Sequence, residues 1–167
     1  PLLAKLEVLA TTPLERGRFL SRKSKHLLLQ QDYQGLMDVA EEFKKIEVDQ
    51  PLAMAGDANH LVTVNSLIAG LMEKVTSKAD RNAQETVNSI ISKDKQIALK
   101  EGSVDALQSF LDIYGSWSQA IEIRSTLAKK LIQQGENQRA EFLLLENRSH
   151  PDPNIAAPAT RQLLELW

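Results

Sequence analysis

The chain has 167 residues, enough for one domain or for a short array of stacked helical hairpins. Its residues are 43% hydrophobic and 25% charged, which is close to the globular norm and excludes disorder throughout the chain. A net charge of −2 gives no overall attraction to nucleic acid or anionic lipid, and the absence of cysteine excludes disulfides and thiolate metal sites. The sequence lacks the run of about 18 apolar residues that a membrane-spanning helix needs.

The balance of residue types favours helices over sheets. Leucine and alanine are abundant, whereas only 5% of the residues are aromatic, with 7 glycines and 6 prolines. We therefore predict an all-α fold of about eight or nine helices. The chain begins at Pro1 without a signal-type cleavage site, and we expect it to be a segment of a larger protein.

Two helix starts are predicted near the N-terminus, after a short apolar helix within the first ten residues. Thr12 is a suitable N-cap, Pro13 fits the first helical position, and Glu15 completes a capping box. This pattern predicts a helix that ends near Gln30. Asp32 is the expected N-cap of the next helix, so the two helices form an antiparallel hairpin.

The central region is the most apolar part of the chain. The spacing of apolar residues predicts one buried helix from Asp57 to about Val75. From Ser77 to Lys100 the pattern is more polar and predicts a long, exposed helix, with a possible interruption at Ser92-Lys93-Asp94. Ser116 or Ser118 is the expected N-cap of a later helix.

The C-terminal stretch from Trp117 to Trp167 predicts a helix, a turn, a second helix, a proline-rich break and a third helix. Gly135 is expected to end the first of these helices, because a residue without Cβ adopts the left-handed conformation easily. Asp152 followed by Pro153 predicts the start of the last helix. Pro158 lies about one turn later, where we expect the helix to tolerate it.

Part of the chain repeats weakly with a shift of 34 residues, which places Ala106 on Ala140 and Phe110 on Leu144. With this period, the small and apolar residues of the C-terminal hairpins resemble tetratricopeptide repeats over about the last 75 residues. The residues that carry the resemblance are Ala128, Gly135, Ala140 and Leu144. Arg124 stands where that family has a large aromatic residue. The resemblance implies a right-handed stack of antiparallel helical hairpins, an irregular α-solenoid.

A second resemblance involves the C-terminal run that begins at Phe110-Leu111-Asp112-Ile113-Tyr114-Gly115 and ends at Leu163-Leu164-Glu165-Leu166. It is similar to helical segments that accompany β-propeller (PQQ-like) repeats in large proteins of planctomycete-type bacteria. The resemblance implies an interaction or spacer module of an extracytoplasmic protein. Taken together, we expect one helical-repeat domain over 1–167, with N-terminal hairpins in 1–50, central helices in 52–100 and tetratricopeptide-like hairpins in 101–167.

The residue types that carry chemistry are scattered. His26, His60 and His150 fall on three different predicted elements without ligand-like neighbours, and each is expected to be hydrogen-bonded within the fold or to face solvent. The sequence contains no metalloprotease, phosphate-loop, nucleophile-elbow or calcium-loop motif. We therefore predict neither enzymatic activity nor a cofactor or metal site.

The strongest charge feature is a basic set on one side of the second helix, formed by Arg18, Arg22 and Lys25. This set is either a solvated helix face or a docking surface for an acidic partner, phosphate or RNA. Trp117 lies at a predicted turn, where it either seals a hairpin or anchors a partner. Trp167 either caps the last helix or packs on residues beyond this chain.

These observations predict a non-catalytic protein–protein interaction or scaffolding module, whose partner is another protein or another domain of the parent chain. The expected partner-binding residues are Arg18, Arg22, Lys25, Arg124, Lys130 and Trp117. The alternative is a helical domain that binds nucleic acid through Arg18, Arg22 and Lys25, which the negative net charge makes less favoured. The compartment does not follow from the residues.

Overall fold

The computed structural model describes residues 2–48, 50–54, 57–78 and 81–166. Within these ranges the chain forms nine helices and one two-stranded hairpin, so the predicted all-α class is confirmed in its helical character, and the hairpin is an addition to it. The stack of hairpins stays a prediction. Contacts between residues divide the chain into two compact units, the N-terminal unit (1–89) and the C-terminal unit (90–167).

The N-terminal unit contains four helices and both strands: α1 (Leu2–Leu9), α2 (Pro13–Gln30), α3 (Tyr33–Phe43), β1 (Leu52–Met54), β2 (Asp57–Val62) and α4 (Val64–Lys78). Helix α5 (Arg81–Glu101) continues past the boundary between the units. The C-terminal unit contains α6 (Val104–Tyr114), α7 (Ala120–Gln133), α8 (Asn137–Arg148) and α9 (Pro153–Leu166).

The predicted starts of α2 and α3 are confirmed. The Thr12 hydroxyl accepts a hydrogen bond from the Glu15 backbone N–H at 3.3 Å, while the Glu15 carboxylate accepts one from the Thr12 N–H at 3.0 Å. At the start of α3 the Asp32 carboxylate accepts from the Gly35 N–H at 2.8 Å. Each cap satisfies backbone donors that have no partner within the helix.

The helix predicted from Asp57 to Val75 is wrong in its first six residues. They form β2, which pairs antiparallel with β1, with Leu52 opposite Val62. The reason is tertiary: the Ser21 hydroxyl of α2 donates to the Ala53 carbonyl at 3.2 Å, and the buried Leu52 side chain packs against Gly17 of the same helix. A short apolar run fits a strand or a helix equally well, so these contacts determine the outcome.

The apolar side chains of the N-terminal unit face one another across α2, α3 and α4, with α3 in contact with both of the other helices. Helix α4 begins after Thr63, whose hydroxyl accepts from the Ser66 N–H at 3.2 Å. The described buried apolar residues of this unit are Phe19, Leu20, Leu36, Met37, Val39, Ala40, Phe43, Leu52, Ile68, Leu71, Met72, Val75 and Val87.

In the C-terminal unit each helix from α6 to α9 packs against the next one in the chain. Gly135, with φ of 78°, ends α7 as predicted. The Glu136 N–H donates to the Leu131 carbonyl at 2.8 Å, and the Gly135 N–H donates to the Ile132 carbonyl at 3.0 Å, the pair of bonds that defines a Schellman motif. Helix α9 runs through Pro158 as expected.

Two finer predictions in this region are wrong. Helix α5 is continuous at Ser92-Lys93-Asp94, because Ser92 and Lys93 point to solvent while the apolar side of the helix continues through Ile91. Helix α7 is preceded by Gln119, which makes no side-chain cap, rather than by a capping Ser116 or Ser118. Backbone hydrogen bonds of the preceding turn already satisfy the first N–H groups of α7.

Candidate functional site

Helix α2 carries five arginine and lysine side chains, and the fold separates them into two sets. Arg16 and Lys23 point towards α3, where both pair with the carboxylate of Glu42. The Arg16 Nη2 atom lies 2.6 Å from Glu42 Oε2, and the Lys23 Nζ atom lies 3.1 Å from Glu42 Oε1. These two cations therefore hold α2 and α3 together.

The environment of Glu42 favours the charged form of its carboxylate. Partial burial of the carboxylate raises its pKa, but the hydrogen bonds and positive charges of Lys23 and Arg16 outweigh that effect, so the pKa is lowered overall. The same two cations lie over the ring of Phe19, at 5.2 Å for Arg16 and 6.0 Å for Lys23. The carboxylate and the ring give Arg16 and Lys23 a structural role.

The predicted basic set has the opposite environment. Arg18, Arg22 and Lys25 are exposed, and none of them forms an ion pair with another described residue. The structure brings Arg18 and Arg22 together on one groove and places Lys25 on another. The basic set thus borders two concave surfaces of the N-terminal unit.

The first of these surfaces, here named the α1–α2 groove, encloses about 270 Å³. Its apolar lining comes from Leu6, Leu9 and Ala10 on the α1 side and from the buried Phe19 of α2. Val8 and Leu9 of α1 are 79% and 69% exposed. The groove therefore combines two guanidinium groups with uncovered apolar surface.

The second surface, the α2–α4 groove, encloses about 280 Å³ between α2, the end of β2 and α4. Lys25 from α2 and Lys74 from α4 are exposed side chains on this groove. Leucines from both helices provide its apolar lining: Leu28, Leu29, Leu67 and Leu71. Leu29 is 76% exposed, so this groove also presents uncovered apolar surface.

The predicted binding residue Arg124 is occupied by contacts within the C-terminal unit. Its guanidinium donates to the Gly115 carbonyl and, at 3.4 Å, to Asn147 Oδ1, and it pairs with Glu146 at 2.5 Å. The Arg124 side chain is only 13% exposed. Its predicted role in partner binding stays a prediction, and these contacts show that it joins the turn before α7 to α8.

Sequence reasoning missed Asn147, which is 2% exposed and lies at the centre of this arrangement. Its Nδ2 atom donates to the Ile121 carbonyl at 2.9 Å and to the Ser125 hydroxyl at 3.0 Å. Asparagine near a helix end is common and usually exposed, so no sequence signal identified it as a buried residue. A cavity of about 410 Å³ lies beside Arg124 and Glu146, between α6 and α8.

The two remaining predicted residues also belong to the C-terminal unit. Lys130 is half-buried in the last turn of α7 and has no ion pair with a described residue. The half-buried Trp117 packs edge-on against Tyr114, with 5.9 Å between the ring centroids. This contact places Trp117 against the end of the α6–α7 hairpin. Trp167 lies outside the described residues.

The described part of the chain contains no group of three or more histidine, cysteine, aspartate or glutamate side chains placed to hold a metal ion. Every helix within the same ranges is too short or too polar to cross a bilayer. The three histidines lie on α2, on β2 and in the turn before α9, as separate residues.

The chain matches no protein family model, no curated protein and no solved structure. No relative therefore carries a function over to it.

Proposed function

We propose that this chain is a non-catalytic protein–protein interaction module built from stacked helical hairpins, and that it holds its partner on the outer side of α2. One observation carries the proposal. Arg18, Arg22 and Lys25 are exposed, make no ion pair within the described residues, and border two grooves with apolar linings. The combination suits a protein partner with acidic and apolar side chains.

The two components of this face contribute differently to binding. Burial of a partner's apolar side chains in the grooves favours binding, by about 25 cal/mol for each Å² of apolar surface removed from water. The cations add specificity and speed of association more than affinity, because they attract acidic partners and repel basic ones. Leu9 and Leu29, which line the two grooves, are 69% and 76% exposed and so offer apolar surface to a partner.

The same cations would also attract nucleic acid, which is the rival function. The Arg18 and Arg22 pair favours it, since two neighbouring guanidinium groups suit successive phosphates. The apolar linings favour a protein, because a phosphate backbone gains nothing from covering leucine side chains. The described residues of both grooves also offer no exposed aromatic ring on which a base would stack.

Affinity capture with the full chain as bait tests this function. The extract of the source organism is applied at about 0.1 M and about 1 M salt, with and without nuclease. The wild-type bait is compared with an Arg18→Glu, Arg22→Glu, Lys25→Glu variant. The matched control reverses Lys93, Lys129 and Arg148, three exposed cations without an ion pair in the described structure.

We expect proteins retained by the wild type and by the control to be lost from the α2 variant, regardless of nuclease. Equal retention by all three baits would contradict the proposal. Capture that disappears with nuclease, and that falls steeply with salt, would show the nucleic-acid function instead. Circular dichroism of the three baits confirms that each of them is folded.

A further inference from the structure

The α2–α4 groove has a charge pattern that differs from that of the α1–α2 groove and of the side of α2 that faces α3. Lys25 and Lys74 stand on opposite helices beside it, and no carboxylate lines it among the described residues. By contrast, Glu42 neutralises the cations that face α3, and Glu15 is part of the α1–α2 groove. A ligand in the α2–α4 groove therefore meets two lysines and an apolar surface without opposing negative charge.

The hydroxyl groups of this groove are already used. Ser21 donates to the Ala53 carbonyl at 3.2 Å, Ser24 donates to the Ser21 carbonyl at 2.8 Å, and Ser66 shares a hydrogen bond with Thr63 at 2.9 Å. A phosphate is held by several hydrogen-bond donors in fixed positions as well as by positive charge. This groove offers mainly leucine side chains and two flexible ammonium groups, which suits apolar anchors flanked by carboxylates.

Gly70 leaves the α4 side of the groove open. Apart from the neighbouring backbone of its own helix, a Cβ atom built on Gly70 meets no heavy atom within 4 Å, although the residue lies in the middle of a helix and lines the groove. Gly17 differs, because a Cβ there would lie 2.8 Å from the side chain of Leu52. The fold itself does not need glycine at position 70 for space, and the missing side chain enlarges the groove.

The dimensions favour a partner side-chain site over a small-molecule pocket. The lining residues extend from Ser21 to Leu29 on α2 and from Ser66 to Lys74 on α4, which corresponds to about 12 Å along each helix. The volume of about 280 Å³ lies just below the range of about 300–1,000 Å³ that is typical of small-molecule sites. Two turns of a partner helix present apolar side chains over the same length.

We propose that the α2–α4 groove binds an acidic amphipathic helix of a partner protein. Two apolar side chains of that helix, spaced by three or four residues, enter the groove over Gly70, and carboxylates on either side of them approach Lys25 and Lys74. This inference rests on the proposed function and assigns its partner to one of the two grooves.

A designed peptide tests the site without knowledge of the natural partner. The probe is a fluorescein-labelled helical peptide of about 15 residues, with leucine at i, i+3, i+4 and i+7 and glutamate at the flanking positions. Its controls are a peptide with the same composition in scrambled order and one with lysine in place of glutamate. We expect saturable binding of the first peptide alone, with amide shift changes in nuclear magnetic resonance spectra that centre on Lys25, Leu67, Gly70 and Lys74.

Two substitutions at Gly70 distinguish a loss of peptide binding caused by filling the groove from one caused by destabilising the fold. Gly70→Leu places a side chain in the groove, and we expect it to weaken peptide binding by about tenfold or more. Gly70→Ala adds one methyl group and is expected to leave binding within about threefold of the wild type. Lys74→Glu replaces an attractive charge with a repulsive one and is expected to weaken binding and to reduce its dependence on salt.

The proposal is overturned if the acidic peptide shows no saturable binding up to about 1 mM. It is also overturned if Gly70→Leu leaves peptide binding unchanged, or if the amide chemical shifts that change belong to residues outside the α2–α4 groove. Equal binding of anionic vesicles or single-stranded RNA, insensitive to Gly70→Leu, would also overturn it. The proposed function is tested separately, by the capture experiment whose variant also reverses Arg18 and Arg22, two residues that do not line this groove. If the Gly70→Leu bait still captures the proteins that the wild type captures, the function stands and this groove is not the site.

Discussion

The arginines of the two units have opposite environments. In the C-terminal unit the side chain of Arg124 is 13% exposed and contacts a backbone carbonyl, an asparagine and a glutamate. In the N-terminal unit Arg18 and Arg22 are exposed and border a groove without an ion pair to a described residue. An arginine on a helix thus becomes structural where neighbouring elements supply acceptors, and stays exposed where the described residues supply none.

The same contrast occurs within a single helix. Arg16 and Lys23 of α2 share the carboxylate of Glu42, which lies 26 and 19 residues away in the sequence. Arg18 and Arg22 lie between them in the sequence but on another side of the helix. The difference arises because α3 supplies a carboxylate, Glu42, to one side of α2. Substitutions that remove such hydrogen-bond and ion-pair acceptors therefore test it directly.

The largest expected effect concerns the polar contacts of the C-terminal unit. Asn147→Leu removes hydrogen bonds to the Ile121 carbonyl and the Ser125 hydroxyl and leaves Arg124 with one acceptor fewer. We expect the free energy of unfolding to fall by about 2–3 kcal/mol. Urea unfolding followed by tryptophan fluorescence measures this, since Trp117 belongs to the C-terminal unit.

A matched control for Asn147 is present in the same helix. Asn137 is exposed at the start of α8, and Asn137→Leu should change the free energy of unfolding by less than about 0.5 kcal/mol. Equal effects at the two positions would show that the buried contacts of Asn147 contribute no more than ordinary helix propensity. The contacts of Arg124 with Asn147 would then add no measurable stability to the C-terminal unit.

The next effect compares two helical glycines of the N-terminal unit. Gly70→Ala should raise the free energy of unfolding by about 0.5–1 kcal/mol, because alanine favours the helix and the site has room. Gly17→Ala gains the same propensity but forces the buried Leu52 to move, so its stability should lie about 1–3 kcal/mol below that of Gly70→Ala. Denaturant unfolding followed by circular dichroism measures both values.

A second background checks that the loss at Gly17 comes from this contact. In a Leu52→Ala protein the side chain that opposes the new methyl group is shortened, so the gap between Gly17→Ala and Gly70→Ala should close. A gap that persists unchanged would place the cause elsewhere and would weaken the explanation for the position of the β1–β2 hairpin on α2.

The smallest effect concerns Glu42 and depends on pH. Glu42→Gln removes both ion pairs, which are partly exposed, and should cost about 1 kcal/mol near pH 7. The pKa of Glu42 is lowered in the folded protein, so this stabilisation is fully present above its ordinary value of 4.5 and is lost as the pH falls through the lowered value. Unfolding by urea between pH 7 and strongly acidic solution measures the loss.

The expected result is that wild type and Glu42→Gln converge in stability at acid pH. Glu73→Gln is the control, because Glu73 is exposed on α4 and makes no ion pair with a described residue. A constant difference between wild type and Glu42→Gln at every pH would contradict the assignment of Arg16 and Lys23 as structural cations.

Several features of the fold follow from the sequence because they depend on residues close together in the chain. The caps at Thr12 and Asp32 and the helix end at Gly135 were predicted correctly, since each is formed by hydrogen bonds within a few residues. The basic set on one side of α2 was also visible, because helical periodicity determines which residues share a side. Its use in binding remains a prediction.

Other features depend on residues that are distant in the chain. Asp57–Val62 forms a strand because its partner β1 packs on Gly17 of α2 and receives a hydrogen bond from Ser21. Asn147 is buried because α7 offers it two hydrogen-bond acceptors. The separation of the cations on α2 depends on Glu42 of α3 in the same way. Local sequence determines how each helix begins, ends and divides into sides, whereas tertiary contacts determine which polar groups find partners and which stay exposed to solvent.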